Sequence, residues 1–144
     1  TPSISNNDDV KFFHRSIENV CNKHDKNYYP DFKKQCDEYF YLPHRDEPRG
    51  EGGIFFDHLN SNNFDNDFNF IHDFGEDILT TICTIIEKRK NKSWSQDEKD
   101  IQLYKRGRYV EFNLLWDRGT LFGLKTGGST EAILMSMPPN AKWK

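Results

Sequence analysis

The chain has 144 residues and a formal net charge of -3. That is long enough for one domain with a real core, and too acidic for a protein built mainly around nucleic acid or an anionic membrane. Only 35% of residues are hydrophobic, against roughly 45–50% apolar in an average domain, yet 12 Phe, 6 Tyr and 3 Trp exclude a disordered chain and predict a folded one with a very polar surface.

Asn6, Asn7, Asp8 and Asp9 predict a helix cap, and Phe13, Ile17, Val20 and Cys21 follow at helical spacing. A second helix is predicted from near Pro30, a good first-turn residue, carrying Phe32, Cys36 and Tyr39 inward and ending at Pro43. Residues 44–53 read as a loop, with Pro48, Gly50, Gly52 and Gly53. Ile54-Phe55-Phe56 reads as a short strand, and the Asn/Asp-rich residues 61–69 as a solvated turn.

Ile71, Phe74, Ile78, Ile82 and Ile85 predict the clearest helix of the chain. Its basic end, Lys88, Arg89, Lys90 and Lys92, suits a C-terminal dipole. Ser95 with Glu98 fits a capping box that opens a helix toward Tyr104. From Arg108 the period reads as two, with Val110, Phe112, Leu114 and Trp116 on one strand face and Tyr109, Glu111, Asn113 and Leu115 on the other. Asp117-Arg118-Gly119 reads as a turn, residues 121–124 as a strand, Thr126-Gly127-Gly128 as a turn and residues 132–137 as a last strand. The fold class is α+β, an antiparallel β-sheet flanked by helices, in a single domain over residues 1–144.

No apolar run approaches the roughly 18 residues of a spanning helix, and no signal peptide stands at Thr1. Cys21, Cys36 and Cys83 are odd in number, widely spaced and set among apolar residues. They read as buried, reduced thiols, which points to a reducing compartment.

Arginine is the informative residue. Five of the seven, Arg45, Arg49, Arg106, Arg108 and Arg118, fall within residues 44–53 and 105–120, both rich in Gly, while the 13 lysines are scattered. An Arg fork pairs bidentately with a carboxylate, and Gly lets backbone amides approach a ligand. Such clustering in an acidic chain suggests an anion site. The competing reading is that these arginines pair with Glu47, Glu51, Glu111 or Asp117 and hold loops; composition alone favours that reading. A nucleic-acid contact through Lys105-Arg106-Gly107-Arg108-Tyr109 is weaker, because acidic segments flank it.

Three blocks carry a resemblance. QLYKRGRYVEFNLLWDRGTLFGLKTGG (residues 102–128), YFYLPHRDEPRGEGGIFFDHL (residues 39–59) and TEAILMSMPP (residues 130–139) resemble, in order, the oxygen-dependent coproporphyrinogen III oxidases, C-terminal half, with a TGG turn and MSMPP ending closer to bacterial members. The resemblance implies a large antiparallel sheet between helical layers and a cytoplasmic homodimer, with dimer contacts from Tyr109 through the last strand. It implies oxidative decarboxylation of two propionates of coproporphyrinogen III to vinyls, giving protoporphyrinogen IX in haem synthesis. O2 is the co-substrate and electron acceptor, and no organic cofactor takes part. Four substrate carboxylates would explain the arginines. By resemblance, Arg45, Arg49, Arg106 and Arg118 read them, beside Gly127, Gly128 and Ser129, where the family often has an arginine at the position of Ser129.

The family's proposed base is an aspartate of a Gly-Gly-x-Asp-Leu-Thr-Pro block, and its proposed proton donor is a histidine further upstream. Both would precede Thr1, so no catalytic residue is expected among these 144, and a tetrapyrrole-carboxylate binding module without turnover is the alternative. His14, His24, His44, His58 and His72 lack zinc-type spacing. Bacterial members are sometimes assigned a divalent metal such as Mn2+ on four histidines; two of these would correspond to His14 and His44.

Overall fold

The computed structural model describes residues 2–143, so the start at Thr1 lies outside the described residues. The chain divides into two compact units. One comprises Ser5–Tyr39 and Glu51–Ser93, the other residues 2–4, Phe40–Gly50 and residues 94–143.

The first unit is three helices: α1 (Asn7–His24), α2 (Tyr28–Tyr39) and α3 (Phe64–Arg89). The Asn6 side chain caps α1 by accepting from the Asp8 and Asp9 amides, which would otherwise lack partners. Pro30 sits in the first turn of α2, where its missing N–H costs nothing. Asn63 caps α3 by accepting from the Asn66 amide at 3.1 Å. Residues 61–69 are therefore mostly the opening of a helix and not a solvated turn: the Asn/Asp content that suggested a turn supplies the cap and the acidic first turn.

α1 and α3 run antiparallel. Asp9, near the start of α1, accepts from Lys88 at 2.8 Å and Arg89 at 2.6 Å at the end of α3. Midway, Ser16 donates to Asp77 at 2.7 Å and bonds Thr81 at 2.8 Å. At the far end Phe70 is fully buried, its ring 4.7 Å from Tyr28, 5.8 Å from Phe56 and 6.0 Å from Phe32. Ile17, Cys21, Phe32 and Phe70 form the core, with Phe74 and Ile78 packed against it.

The inward stripe of α3 is thus Phe70, Phe74, Ile78 and Thr81, whereas Ile71 and Ile82, predicted inward, are largely exposed. Ile54-Phe55-Phe56 forms no strand; the Phe55 amide donates to the Phe32 carbonyl at 3.1 Å as the segment drapes over α2. Cys21 and Cys36 are buried, and burial pushes the Cys21 thiol up to about 11, but Cys83 is exposed, contrary to the reading of three buried thiols.

The second unit opens on a short antiparallel ladder, β1 (Tyr41–Leu42) with β2 (Glu47–Pro48), in the register Tyr41↔Pro48 and Leu42↔Glu47. Asp46 makes the turn in the left-handed region, at φ 52. Then come α4 (Gln96–Leu115), α5 (Arg118–Lys125) and α6 (Thr130–Leu134). The Ser95–Glu98 capping box is present: Ser95 accepts from the Glu98 amide and its own amide donates to Glu98. The class is α+β, mostly helical, with this two-stranded ladder as the sheet among the described residues.

None of the three strands expected after Arg108 forms: residues 108–115 and 121–124 are helical, and residues 132–137 are helix to Leu134 and turn beyond it. A helix once nucleated propagates at one bond per residue, and no proline stands between Tyr104 and Leu115 to stop it; Gly107 is tolerated inside the helix and Val110 is the lone β-branched residue there. The period-two reading fails because only Phe112 of its apolar face is buried, while Leu114 and Trp116 are substantially exposed. Asp117 is the cap of α5, accepting from Thr120 at 2.7 Å, and Ser129 is the cap of α6. The 126–128 turn forms as expected, with Gly127 at φ 73. At Gly107 the chain crosses α4 so closely that a Cβ would strike the Lys142 carbonyl, and the Lys142 amide donates to the Leu103 carbonyl at 3.0 Å.

Phe70→Ala should cost about 3–5 kcal/mol, because the ring touches all three helices of its unit; urea denaturation followed by circular dichroism measures it, and a loss below about 1 kcal/mol would contradict this core.

Candidate functional site

Two arginine sites lie in the second unit, and they differ in what surrounds the cations. The first is built around Glu111, on the face of α4 toward β1 and β2. Arg45 grips its carboxylate with both prongs, Nε to Oε2 at 2.8 Å and Nη2 to Oε1 at 2.5 Å. His44 Nε2 lies 2.8 Å from Oε2. Arg108 stands 3.8 Å from Oε1 and donates its Nε–H to Glu47. Arg45, then His44, hold the Glu111 carboxyl down from 4.5 to about 2 against the opposing effect of burial. Arg108 Nη1 is buried with no hydrogen-bond partner, so its contribution to Glu111 is Coulombic.

The tautomer of His44 follows from its neighbours. Trp116 Nε1–H can only donate, and it donates to His44 Nδ1 at 3.0 Å. Nδ1 is therefore unprotonated, and the ring proton sits on Nε2, facing Glu111. The indole also stacks on the imidazole, centroids 5.9 Å apart.

The second site is an open cavity of about 250 Å3 lined by Arg49, Lys105, Arg106 and Tyr109 together with Pro2, Ser3, Ser136 and Pro138. Among the described residues it gathers three cations and no carboxylate. Among the described residues Lys105 and Arg106 have no ion partner, whereas Arg45 and Arg108 do. Arg49 is held by aromatic faces, its guanidinium carbon 4.3 Å from the Phe40 centroid, 5.2 Å from Phe112 and 5.6 Å from Tyr109. Stacking of this kind fixes the orientation of a fork. Such an array suits an anion with more than one negative group.

The residues singled out from sequence thus divide. Arg49 and Arg106 meet at the cavity. Arg45 spends its fork on Glu111. Arg118 occupies the first position of α5, beside its cap Asp117. Gly127, Gly128 and Ser129 join α5 to α6, the Gly128 amide donating to Gly123 at 3.0 Å. Lys105 and Tyr109 line the cavity too; their signal was the spacing of 105, 106 and 109 on one helical face, hidden by the strand reading.

The ring nitrogens of His14 and His44 are engaged with protein partners. His14 has both ring nitrogens engaged, Nε2 with Glu51 at 2.7 Å and Nδ1 with the Tyr29 hydroxyl at 3.1 Å. Both nitrogens of His44 are engaged as well, and the described residues hold no group of three or more candidate ligands. His14 belongs to the first unit and His44 to the second.

A family model described as Coproporphyrinogen III oxidase matches residues 1–144. The oxygen-dependent coproporphyrinogen-III oxidases of Francisella tularensis subsp. holarctica and Francisella philomiragia subsp. philomiragia are each 58% identical over 144 residues, covering 100% of this chain and 47% of the relative. The enzyme of that name from Francisella tularensis subsp. novicida is 56% identical over the same span. The chain therefore spans about half the length of the curated relatives it matches.

The pH dependence of stability tests the Glu111 site. A carboxyl with a lowered folded pKa stabilises above its unfolded pKa, and that contribution is lost as pH falls through the folded value. Wild type should exceed Glu111→Gln fully above about pH 4.5, and the gap should close toward pH 2; a gap in urea midpoint that stays constant from pH 7 to 3 would contradict the pairing.

Proposed function

The chain belongs to the coproporphyrinogen III oxidase family, and from that premise we propose that it supplies the carboxylate-gripping part of an enzyme that oxidatively decarboxylates coproporphyrinogen III. In this reaction two propionates each lose CO2 and two electrons to become vinyls, and O2 takes up the electrons. The observation that supports this role is the cavity that brings the cations of Arg49, Lys105 and Arg106 together. The substrate carries four carboxylates, and fixed forks orient a polyanion so that chosen propionates meet the oxidant.

Arg49 is the pre-positioned fork, held against three rings. Arg106 and Lys105 project from one turn of α4 and can follow a propionate of variable position. Arg118, with Gly127, Gly128 and Ser129 on the following turn, serves a further carboxylate by family resemblance. Arg45 would have to release Glu111 to take part, so we assign it to holding β1 and β2 on α4.

Among the described residues no carboxylate or histidine lines the cavity, and we assign its cations to binding and orienting the substrate's carboxylates. That observation favours, for this chain taken alone, tetrapyrrole-carboxylate binding without turnover. Family resemblance also supports a cytoplasmic homodimer with unit contacts from Tyr109 onward. No described helix is long and apolar enough to cross a membrane.

In the full-length enzyme Arg106→Ala should raise KM for coproporphyrinogen roughly 10- to 100-fold, the worth of one charge-assisted hydrogen-bonded contact. Arg118→Ala should cut turnover sharply with folding intact. Steady-state oxidation assays measure both, and wild-type constants in both variants would remove the assignment.

A further inference from the structure

Arg49 is held against three rings, and two of them stand behind the cavity that its fork serves. Tyr109 lines the cavity; Phe40 and Phe112 are not among its lining residues. The guanidinium carbon lies 4.3 Å from the Phe40 centroid and 5.2 Å from that of Phe112. The two rings also meet each other, with centroids 5.1 Å apart and planes tilted by 48°. Any effect of this pair on a bound anion has to pass through a neighbour, and Arg49 is the charged one.

The pair is well anchored. Phe112 is 1% exposed and, with Gly107, is what α4 buries. Tyr109 and Phe112 stand one turn apart on the same face of that helix. Phe40 is tied to Arg49 through the backbone as well, the Arg49 amide donating to the Phe40 carbonyl at 2.9 Å. All four residues belong to the second unit, and the arrangement rests on a buried ring rather than on an exposed face.

A core position by itself asks only for an apolar side chain of about the right size, and Leu would meet that need at Phe112. A cation packed against the position asks for more. A ring face carries negative potential that an aliphatic side chain lacks. Packing a guanidinium against an apolar surface without that potential removes water from the charge and returns nothing. The rings also restrict a long side chain. An arginine left free has to be ordered when it takes a carboxylate, which lowers affinity; one already held has little freedom left to lose.

We propose that Phe40 and Phe112 are positioning residues, which hold the Arg49 fork in the orientation that takes a substrate carboxylate without touching the substrate themselves. This rests on the reading of the cavity as a carboxylate site.

A double-mutant cycle in the full-length enzyme tests it. Anaerobic equilibrium binding of coproporphyrinogen III gives Kd without turnover, and aerobic assays give kcat. Arg49→Ala should weaken binding about 10-fold or more. Phe112→Leu should weaken it roughly 3- to 10-fold, a loss carried by Kd and not by kcat. Phe40→Leu should do the same, and Phe40→Tyr, which keeps the ring face, should bind as wild type. Phe40 is only half-buried, so its two variants decide the matter where Phe112→Leu lowers stability. In an Arg49→Ala background neither leucine variant should weaken binding further. Leucine variants that bind as wild type, or whose effects add in full to that of Arg49→Ala, would overturn the proposal and leave the carboxylate site standing. Wild-type binding by Arg49→Ala would overturn Arg49's place in that site and the proposal with it.

Discussion

The second unit turns on the Glu111 carboxylate. It takes both prongs of Arg45, the proton of His44 and the field of Arg108, and so binds β1 and β2 to α4. This one group sorts the cations of the unit. Those that reach it are neutralised and become structural; those one face away on the same helix, Lys105 and Arg106, keep their charge for the cavity. A buried ion network of this kind is a weak source of stability, but it fixes geometry. Phe40 and Arg49, which flank the ladder and are bonded amide to carbonyl at 2.9 Å, are thereby set against Tyr109 and Phe112.

Local signals were legible in the sequence where a side chain acts on its own neighbourhood. The Asn6 cap, the Ser95–Glu98 box and the 126–128 turn formed as read, since each needs only residues within three of itself. The family was legible too, from three ordered blocks. What failed was the choice of period after Arg108. Val110, Phe112, Leu114 and Trp116 alternate by chance of composition, and a strand face can be told from a helical turn only by what lies upstream. Ser95 was that upstream information: a capped helix with no breaker before Trp116 continues.

The site residues divided for a related reason. An arginine's sequence position says that it can grip an anion, not which one. Arg45 and Arg106 both stand in Gly-bearing arginine windows, yet one faces Glu111 across 66 residues and the other faces a cavity. The pairing with Glu111 is a long-range choice made by the β1–β2 turn. The same limit applied to α3, where Ile71 and Ile82 fit an inward stripe as well as Phe70 and Thr81 did, until the position of α1 decided between them.

The crossing at Gly107 bears on how the cavity comes to exist. The cavity is lined by residues far apart in the chain, Arg49 to Tyr109 on one hand and Ser136 with Pro138 on the other, and the Lys142 amide holds the later segment to α4 through the Leu103 carbonyl. A Cβ at Gly107 would strike the Lys142 carbonyl, so any side chain there would push that segment off the helix. A substitution at a residue outside the lining would therefore change the shape of the cavity while leaving its three cations in place.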